Sequence, residues 1–328
     1  MVSPREALTM GIMRHSLLLF VSVLLTATGT VWADEAAGPA RKASPAGTAS
    51  VVLVGDVMLD NGPGHAIASG RDPFAGCAEL LLDADFTIGN LECVLGRAGK
   101  LAHKAYVFRA AEDSPRFLKR YFTAVSLGNN HAFDFGPDGL VEALDILDRG
   151  KIGRFGAGRT LAEARRPFVL EKDGLRIAIL AANGFRAADY AATEATPGVA
   201  PLREADLLAD IAATRKQADF VVPFVHWGDE LVAGPLEADR GFARRMIDAG
   251  AAAVIGSHPH VTQTVDVHRG APIVYSLGNF VFDYYPCDPP EWTGWVVKLT
   301  VAKGAPVAIE TRAVVLDAAG LPRPAVSP

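Results

Sequence analysis

An α/β domain is the fold class this sequence predicts, and three observations carry that reading. Short apolar runs rich in β-branched residues recur along the chain, segments with helical spacing lie between most of them, and those segments are about 10 to 15 residues long. The chain opens this pattern with SVVLVGD (50–56), followed by the helical segment PFAGCAELLLD and the run DFTIGN (85–90). Next come SPRFLKRYF, FTAVSLGN (122–129) and GPDGLVEALDILDR, then LRIAILAAN (175–183) and READLLADIAATRKQA. DFVVPFVHW (219–227), EADRGFARRMIDAG and AAAVIGSH (251–258) complete the alternation. Continuous apolar runs joined through helices predict parallel strands buried on both faces. PIVYSLGNF (272–280), WVVKLTVA (295–302) and VAIETRAVVL (307–316) follow one another without helices, which predicts an antiparallel finish to a second sheet.

Composition narrows the function classes. Half of the 328 residues are hydrophobic and 21% are charged, which suits a buried core and excludes a disordered chain. A net charge of −5 leaves no basic excess to neutralise a phosphate backbone, so nucleic acid is not an expected partner.

The N-terminal stretch MRHSLLLFVSVLLTATGTVWADEA has a basic start, an apolar run from Leu17 and the small-x-small site Val31-Trp32-Ala33. It reads as a secretory signal peptide over 1–33, cleaved after Ala33. An uncleaved membrane anchor is the alternative, because Leu17 to Ala33 falls just short of a full span. The expected location is therefore outside the cytoplasm, periplasmic or extracellular, with membrane association if the segment is retained. Residues 34–49 read as a flexible leader, 50–318 as one domain and 319–328 as a tail. Cys77, Cys93 and Cys287 lack metal-finger spacing, and at most one pair can bridge.

Nearly every predicted strand ends in a polar or metal-competent residue: Asp56, Asn90 with Glu92, Asn129-Asn130-His131, His226, His258 with His260, and Asn279. Ligands of open α/β sheets bind outside the carboxyl ends of the strands, so these side chains are expected on one rim. A lone histidine after a strand is usually a satisfied core or surface residue. Four of the eight histidines at strand ends, joined by Asp56 and Glu92, instead point to a divalent-metal site. Pro259 disfavours a helical conformation for His258, so an extended backbone is expected to send both imidazoles to one side.

GDVMLD (55–60), GNLECVL (89–95), SLGNNHAFDFG (126–136), PFVHWGDE (223–230), IGSHPHVTQ (255–263) and YSLGNFVFD (275–283) resemble, in order, the motifs of CapA-type poly-γ-glutamate capsule biosynthesis proteins. That family is similar in fold to the calcineurin-like metallophosphoesterases. The resemblance implies an α/β/β/α sandwich of two mixed sheets flanked by helices. It implies metal ligation by Asp56, Asn130, His226, His258 and His260, and a catalytic His131 that protonates the leaving oxygen or stabilises the transition state. The implied cofactor is one or two divalent ions, Mn, Zn or Fe.

Two departures from the phosphoesterase pattern stand out. Met58 occupies the position of a first-motif histidine, and Asn90 that of a bridging aspartate, which leaves Glu92 as the nearest carboxylate and metal candidate. Candidate substrate contacts are Lys104, Arg109, Asn90 and Asn279. Asp134 is placed to orient His131, while Trp227, Tyr284, Tyr285 and Trp292 either wall the cleft or cover the core. Ser257 lacks the GxSxG elbow of a nucleophile. Two functions follow as expectations: a metal-dependent hydrolase acting on a phosphoester or on the γ-glutamyl polymer, or a non-catalytic accessory protein. The partners they imply are an anionic polymer or phosphoester substrate and a membrane synthase complex.

Overall fold

Two mixed sheets stack face to face with helices outside them, in a computed structural model that describes residues 40–283 and 292–325. The signal segment, Tyr284, Tyr285 and Cys287 lie outside the described residues. No helix among the described residues is long and apolar enough to cross a membrane.

The first sheet is built on β1 (Thr48–Val57), whose residues after the first are all buried. It pairs in parallel with β2 (Phe86–Leu91), which leads on to β3 (Ala124–Ser126) and β4 (Gly153–Phe155). Helices α1 (Asn61–Ala68), α2 (Ala78–Leu82), α3 (Ser114–Tyr121) and α4 (Gly136–Arg149) alternate with these strands. A small antiparallel pair, β5 (Ala157–Gly158) with β8 (Gly198–Val199), and the short helices α5 (Leu161–Ala164) and α6 (Ala187–Tyr190) stand outside the two main sheets.

The second sheet runs β11 (Val265–His268), β12 (Ala271–Val274), β10 (Val254–Ser257), β9 (Phe220–His226), β7 (Leu175–Asn183), β6 (Phe168–Lys172). Its four inner strands are parallel and its two edges antiparallel. Helices α7 (Glu204–Thr214) and α8 (Glu237–Asp248) cover its outer face.

Side-chain alternation builds the layers. In β1, Val51 and Leu53 enter the core between the sheets, while Val52 and Val54 pack toward α1–α4. In β9, Val222 and Phe224 enter the same inter-sheet core, while Val221 and Val225 meet α7 and α8. A polar substitution on either set would therefore open a different layer.

The expected antiparallel finish is present but in the first sheet, not the second. The run 272–280 is two strands: the chain leaves the second sheet at Val274 and re-enters the first at β13 (Asn279–Val281), which pairs in parallel with the end of β1. Gly278, at φ +66°, makes that crossing. β14 (Thr293–Ala302), β15 (Ala308–Leu316) and β16 (Pro322–Pro324) then add antiparallel strands to β1. Consequently the domain continues past 318 into the expected tail. Residues 40–47 of the expected leader are also held: Lys42 N–H donates to Leu82 O at 2.8 Å and Arg41 Nη1 to Thr87 Oγ1 at 2.6 Å.

Candidate metal centre

The carboxyl ends of strands from both sheets meet, and the expected rim is there. Asp56 pairs in register with Asn90 across β1 and β2, and with Asn279 across β1 and β13; Ser257 pairs with His226 across β10 and β9. A bulge at Gly55 turns Asp56, since Val54 faces Gly89 and Asp56 already faces Asn90. A Cβ at Gly55 would stand 1.9 Å from Gly278 O, so only glycine admits this approach.

His226 Nε2 faces three acceptor or lone-pair atoms: Asn130 Oδ1 at 2.8 Å, His258 Nδ1 at 3.1 Å and Glu92 Oε1 at 3.4 Å. Its Nδ1 is held from behind by Ser257 Oγ at 3.0 Å. Asn90 Nδ2 donates to Asp56 Oδ1 at 2.8 Å, and Asn129 Nδ2 donates in turn to Asn90 Oδ1 at 2.9 Å. Asn129 also accepts the backbone N–H groups of His131 and Ala132, so one unassigned amide fixes the whole Asn-Asn-His turn. Asp56 Oδ2 and His260 Nδ1 are 3.4 Å apart, and His260 Nδ1 is 2.9 Å from Asn279 Oδ1.

Electrostatics divide the histidines. Burial pushes His226 and His258 well below the ordinary imidazole value, which leaves neutral rings with a lone pair to donate. Burial works the same way on His260, but hydrogen bonding and attraction to Asp56 outweigh it and hold that ring above its ordinary value. Burial also pushes the Asp56 carboxyl up, yet His260 and the Asn90 amide bring it below the usual range. Burial, with the Asp56 charge beside it, lifts Glu92 well above the carboxylate range.

The donor set fits a divalent cation. Glu92 Oε1 and His258 Nε2 are buried without a hydrogen-bond partner, and buried polar atoms rarely stay unsatisfied. Ligand atoms around an ion bound at about 2.0–2.2 Å lie about 3.0–3.6 Å from their neighbours, close to the spacing around His226 Nε2. Glu92, His226 and His258 form one group with ligand atoms within 4.8 Å of one another, and Asp56, Glu92 and His260 form another.

His131 lies at the edge of this cluster. Its Nδ1 is 2.8 Å from Asp134 Oδ2, the contact expected from the span HAFD, and Phe108 N–H donates to the same oxygen at 2.7 Å. Lys104 Nζ pairs with Asp134 Oδ1 and donates to Asn130 O at 3.0 Å. Burial lowers the His131 value although Asp134 opposes it.

Several expectations change. His258 and His260 are not extended: their φ angles are +103° and +58°, so the chain bends through positive φ around Pro259. Proline excludes the right-handed helical region for its predecessor but not this bend, and such outliers persist where packing over-determines them. The imidazoles converge nevertheless, with ring centroids 6.0 Å apart. Arg109 does not reach the cluster; its guanidinium donates to Gly96 O and Ala98 O and lies 3.5 Å over the Phe135 ring, pinning a loop. Asn90 is buried as a brace between Asp56 and Asn129. Met58 sits in the core with α1–α4, and Trp227 donates to Tyr275 O from the second-sheet core, so neither lines the centre. Trp292 is 38% exposed. Cys77 and Cys93 are both buried and unbridged.

Comparison with known proteins agrees with this architecture. Residues 50–284 match the family model "Bacterial capsule synthesis protein PGA_cap". The "PGA biosynthesis protein CapA" of Bacillus subtilis is 32% identical over 276 residues, covering 82% of this chain and 73% of that one. The "Capsule biosynthesis protein CapA" of Bacillus anthracis is 30% identical over 277 residues, covering 81% and 67%. Among solved structures, a 5'-nucleotidase precursor from Thermus thermophilus superposes with a TM-score of 0.50 at 16% identity, over 84% of this chain and 56% of its own length. The fold is thus metallophosphoesterase-like, and the chain belongs to the PGA_cap family of bacterial capsule synthesis proteins.

Proposed function

We propose that this protein is exported and acts in poly-γ-glutamate or related cell-surface polymer biosynthesis as a metal-dependent hydrolase of an anionic polymer or phosphoester. The observation that carries the reading is the convergence of His226, His258, Asn130 and Glu92 with two buried ligand atoms left unpartnered. Asp56 and His260 complete the ligand set, and Mn, Zn or Fe suits a mixture of imidazole and carboxylate. A bound ion of this kind polarises a phosphoryl or carbonyl oxygen and makes water acidic enough to react near neutral pH.

The chain's own residues supply the rest. Asp134, held by Lys104 and the Phe108 N–H, fixes His131 through Nδ1 and leaves Nε2 to exchange a proton with the departing oxygen. Lys104 adds positive charge beside the cluster, suited to an anionic ligand. Asn279, expected as a substrate contact, is buried like Asn90 and braces His260: its Oδ1 is 2.9 Å from His260 Nδ1 and its Nδ2 donates to His260 O at 3.3 Å.

One observation favours a second reading, a non-catalytic accessory protein that aids a membrane synthase. Met58 offers a core thioether where the hydrolase pattern asks for an imidazole. Turnover separates the two. Purified chain from Asp34 onward, loaded with Mn or Zn, is expected to hydrolyse an aryl phosphate and to lose that activity with a chelator. Metal-loaded protein with no turnover of aryl phosphate or poly-γ-glutamate would leave the accessory reading in its place.

A further inference from the structure

β7 ends in Asn183, a polar strand end that the metal centre does not use. Asn183 pairs in register with His226, and Gly184 N–H donates to His226 O at 2.7 Å, so the chain leaving β7 starts beside that histidine. The Asn183 side chain then turns it: Nδ2 donates to Phe185 O at 2.9 Å, and Oδ1 accepts Phe185 N–H at 3.2 Å. Arg186 follows at φ +46°, a left-handed backbone that a non-glycine residue keeps only where its surroundings hold it.

These contacts fix the Phe185 ring against His258, with 4.6 Å between ring centroids. Two other phenylalanines face histidines of the cluster, Phe108 against His131 at 4.5 Å and Phe282 against His260 at 4.7 Å. Those two are buried and lie 5.7 Å from each other, so they belong to the core. Phe185 is only half-buried, while His258 behind it is fully buried, so this ring carries the wall of the centre out to water. At the other end of the same segment, Tyr190 lies under Lys104 Nζ, 5.2 Å from its ring centroid, and that lysine pairs with Asp134. Residues 183–190 therefore reach from the histidines of the second sheet to the side of His131. Both ends are tied down, Asn183 N–H donating to Ala200 O at 2.8 Å and Ala192 N–H to Val199 O at 2.9 Å.

We propose that Phe185 is a specificity-determining residue of the centre, and that its open face receives an apolar group carried on the anion held there. This rests on the metal-centre reading above and deepens it by naming the substrate class: an anion with an apolar flank, as opposed to a compact hydrophilic one. A phenyl ring offers the anion neither charge nor a hydrogen bond. Its exposed face is recovered from water only by an apolar group placed on it.

Binding of two non-hydrolysable phosphonates tests this without reference to turnover. Purified protein from Asp34 onward is loaded with Mn, its bound Mn is counted, and it is titrated by calorimetry with methylphosphonate and phenylphosphonate. The proteins compared are the wild type, Phe185→Ala and Phe185→Tyr. The wild type is expected to bind phenylphosphonate about five- to tenfold more tightly than methylphosphonate, the scale of one aromatic contact. Phe185→Ala loses that preference while its Mn content and methylphosphonate affinity stay at wild-type values, and Phe185→Tyr, which keeps a ring, retains it. A wild type with no preference, or a Phe185→Ala protein that keeps it, overturns the proposal and leaves the metal centre standing. Loss of Mn or of both phosphonates from Phe185→Ala would make the ring a packing support for His258 and also overturns it. A wild type that takes up no Mn, or binds neither phosphonate, removes the reading beneath the proposal and the proposal with it.

Discussion

The two sheets bring different chemistry to the centre. From the first come oxygen donors, Asp56, Glu92 and Asn130, braced by the amides of Asn90 and Asn129. From the second come nitrogen donors, His226 at the end of β9 and His258 and His260 after β10. Together they form a mixed set, in which carboxylate charge offsets the cation and neutral imidazoles add donors without adding repulsion. The binding set exists only because the apolar layer of Leu53, Ile88, Val222, Phe224 and Ile255 holds the sheets face to face. The protein thus couples its largest source of stability, inter-sheet burial, to the geometry of its site.

The largest break in that comparison is expected at Gly55. Gly55→Val forces side-chain atoms into Gly278 O, where a Cβ alone would come within 1.9 Å, and parts β13 from β1. Because backbone stands on both sides, the loss is expected to be about 4 kcal/mol or more. Thermal unfolding followed by circular dichroism should show little or no folded protein, and a variant with wild-type Tm contradicts the crossing as drawn.

His226→Ala removes the nitrogen donor closest to the first-sheet oxygens while leaving the fold in place. Metal affinity is expected to fall by more than the roughly 100-fold typical of an outer hydrogen-bonding residue. Elemental analysis after dialysis reads it directly. His131→Ala gives the complementary result: turnover falls about 10²–10⁴-fold and bound metal is unchanged. Loss of metal from His131→Ala would reassign it as a ligand.

The smallest effect is a pH dependence that separates the histidines. His226 and His258 are already neutral through burial, so metal binding near neutrality releases no proton from them. His260 is held above the ordinary value of 6.5 and Glu92 well above its own, so each keeps its proton to higher pH than usual, and a cation competes with that proton. Affinity therefore rises as pH rises through the elevated His260 value. Calorimetry in buffers of different ionisation heat should count the released protons, and Glu92→Gln should lower the count. Affinity that does not rise with pH contradicts the assigned charge states.

The strand-end residues were legible in the sequence because β-branched runs mark buried strands and a polar residue ending each run has few other roles. The contact between Asp134 and His131 followed from their short spacing, and the structure shows it. Sheet membership was not legible. PIVYSLGNF reads as one strand, yet it crosses between sheets at Gly278, because an apolar run reports burial and not the partner it pairs with. The bend at His258 and His260 was hidden for a related reason: Pro259 excludes one conformation and tertiary packing chooses among the others. Arg109 shows the limit of residue type as a signal, since a guanidinium that could hold an anion instead caps two carbonyls. Phe185 had no local signature at all; only the fold places it beside His258.

Anomalous diffraction from Mn-soaked crystals tests the shared centre most directly. A peak between the strand ends of the two sheets, within bonding distance of His226, His258 and Glu92, is the predicted result. An ordered protein with no peak there, or a peak bonded by residues of one sheet alone, would contradict it.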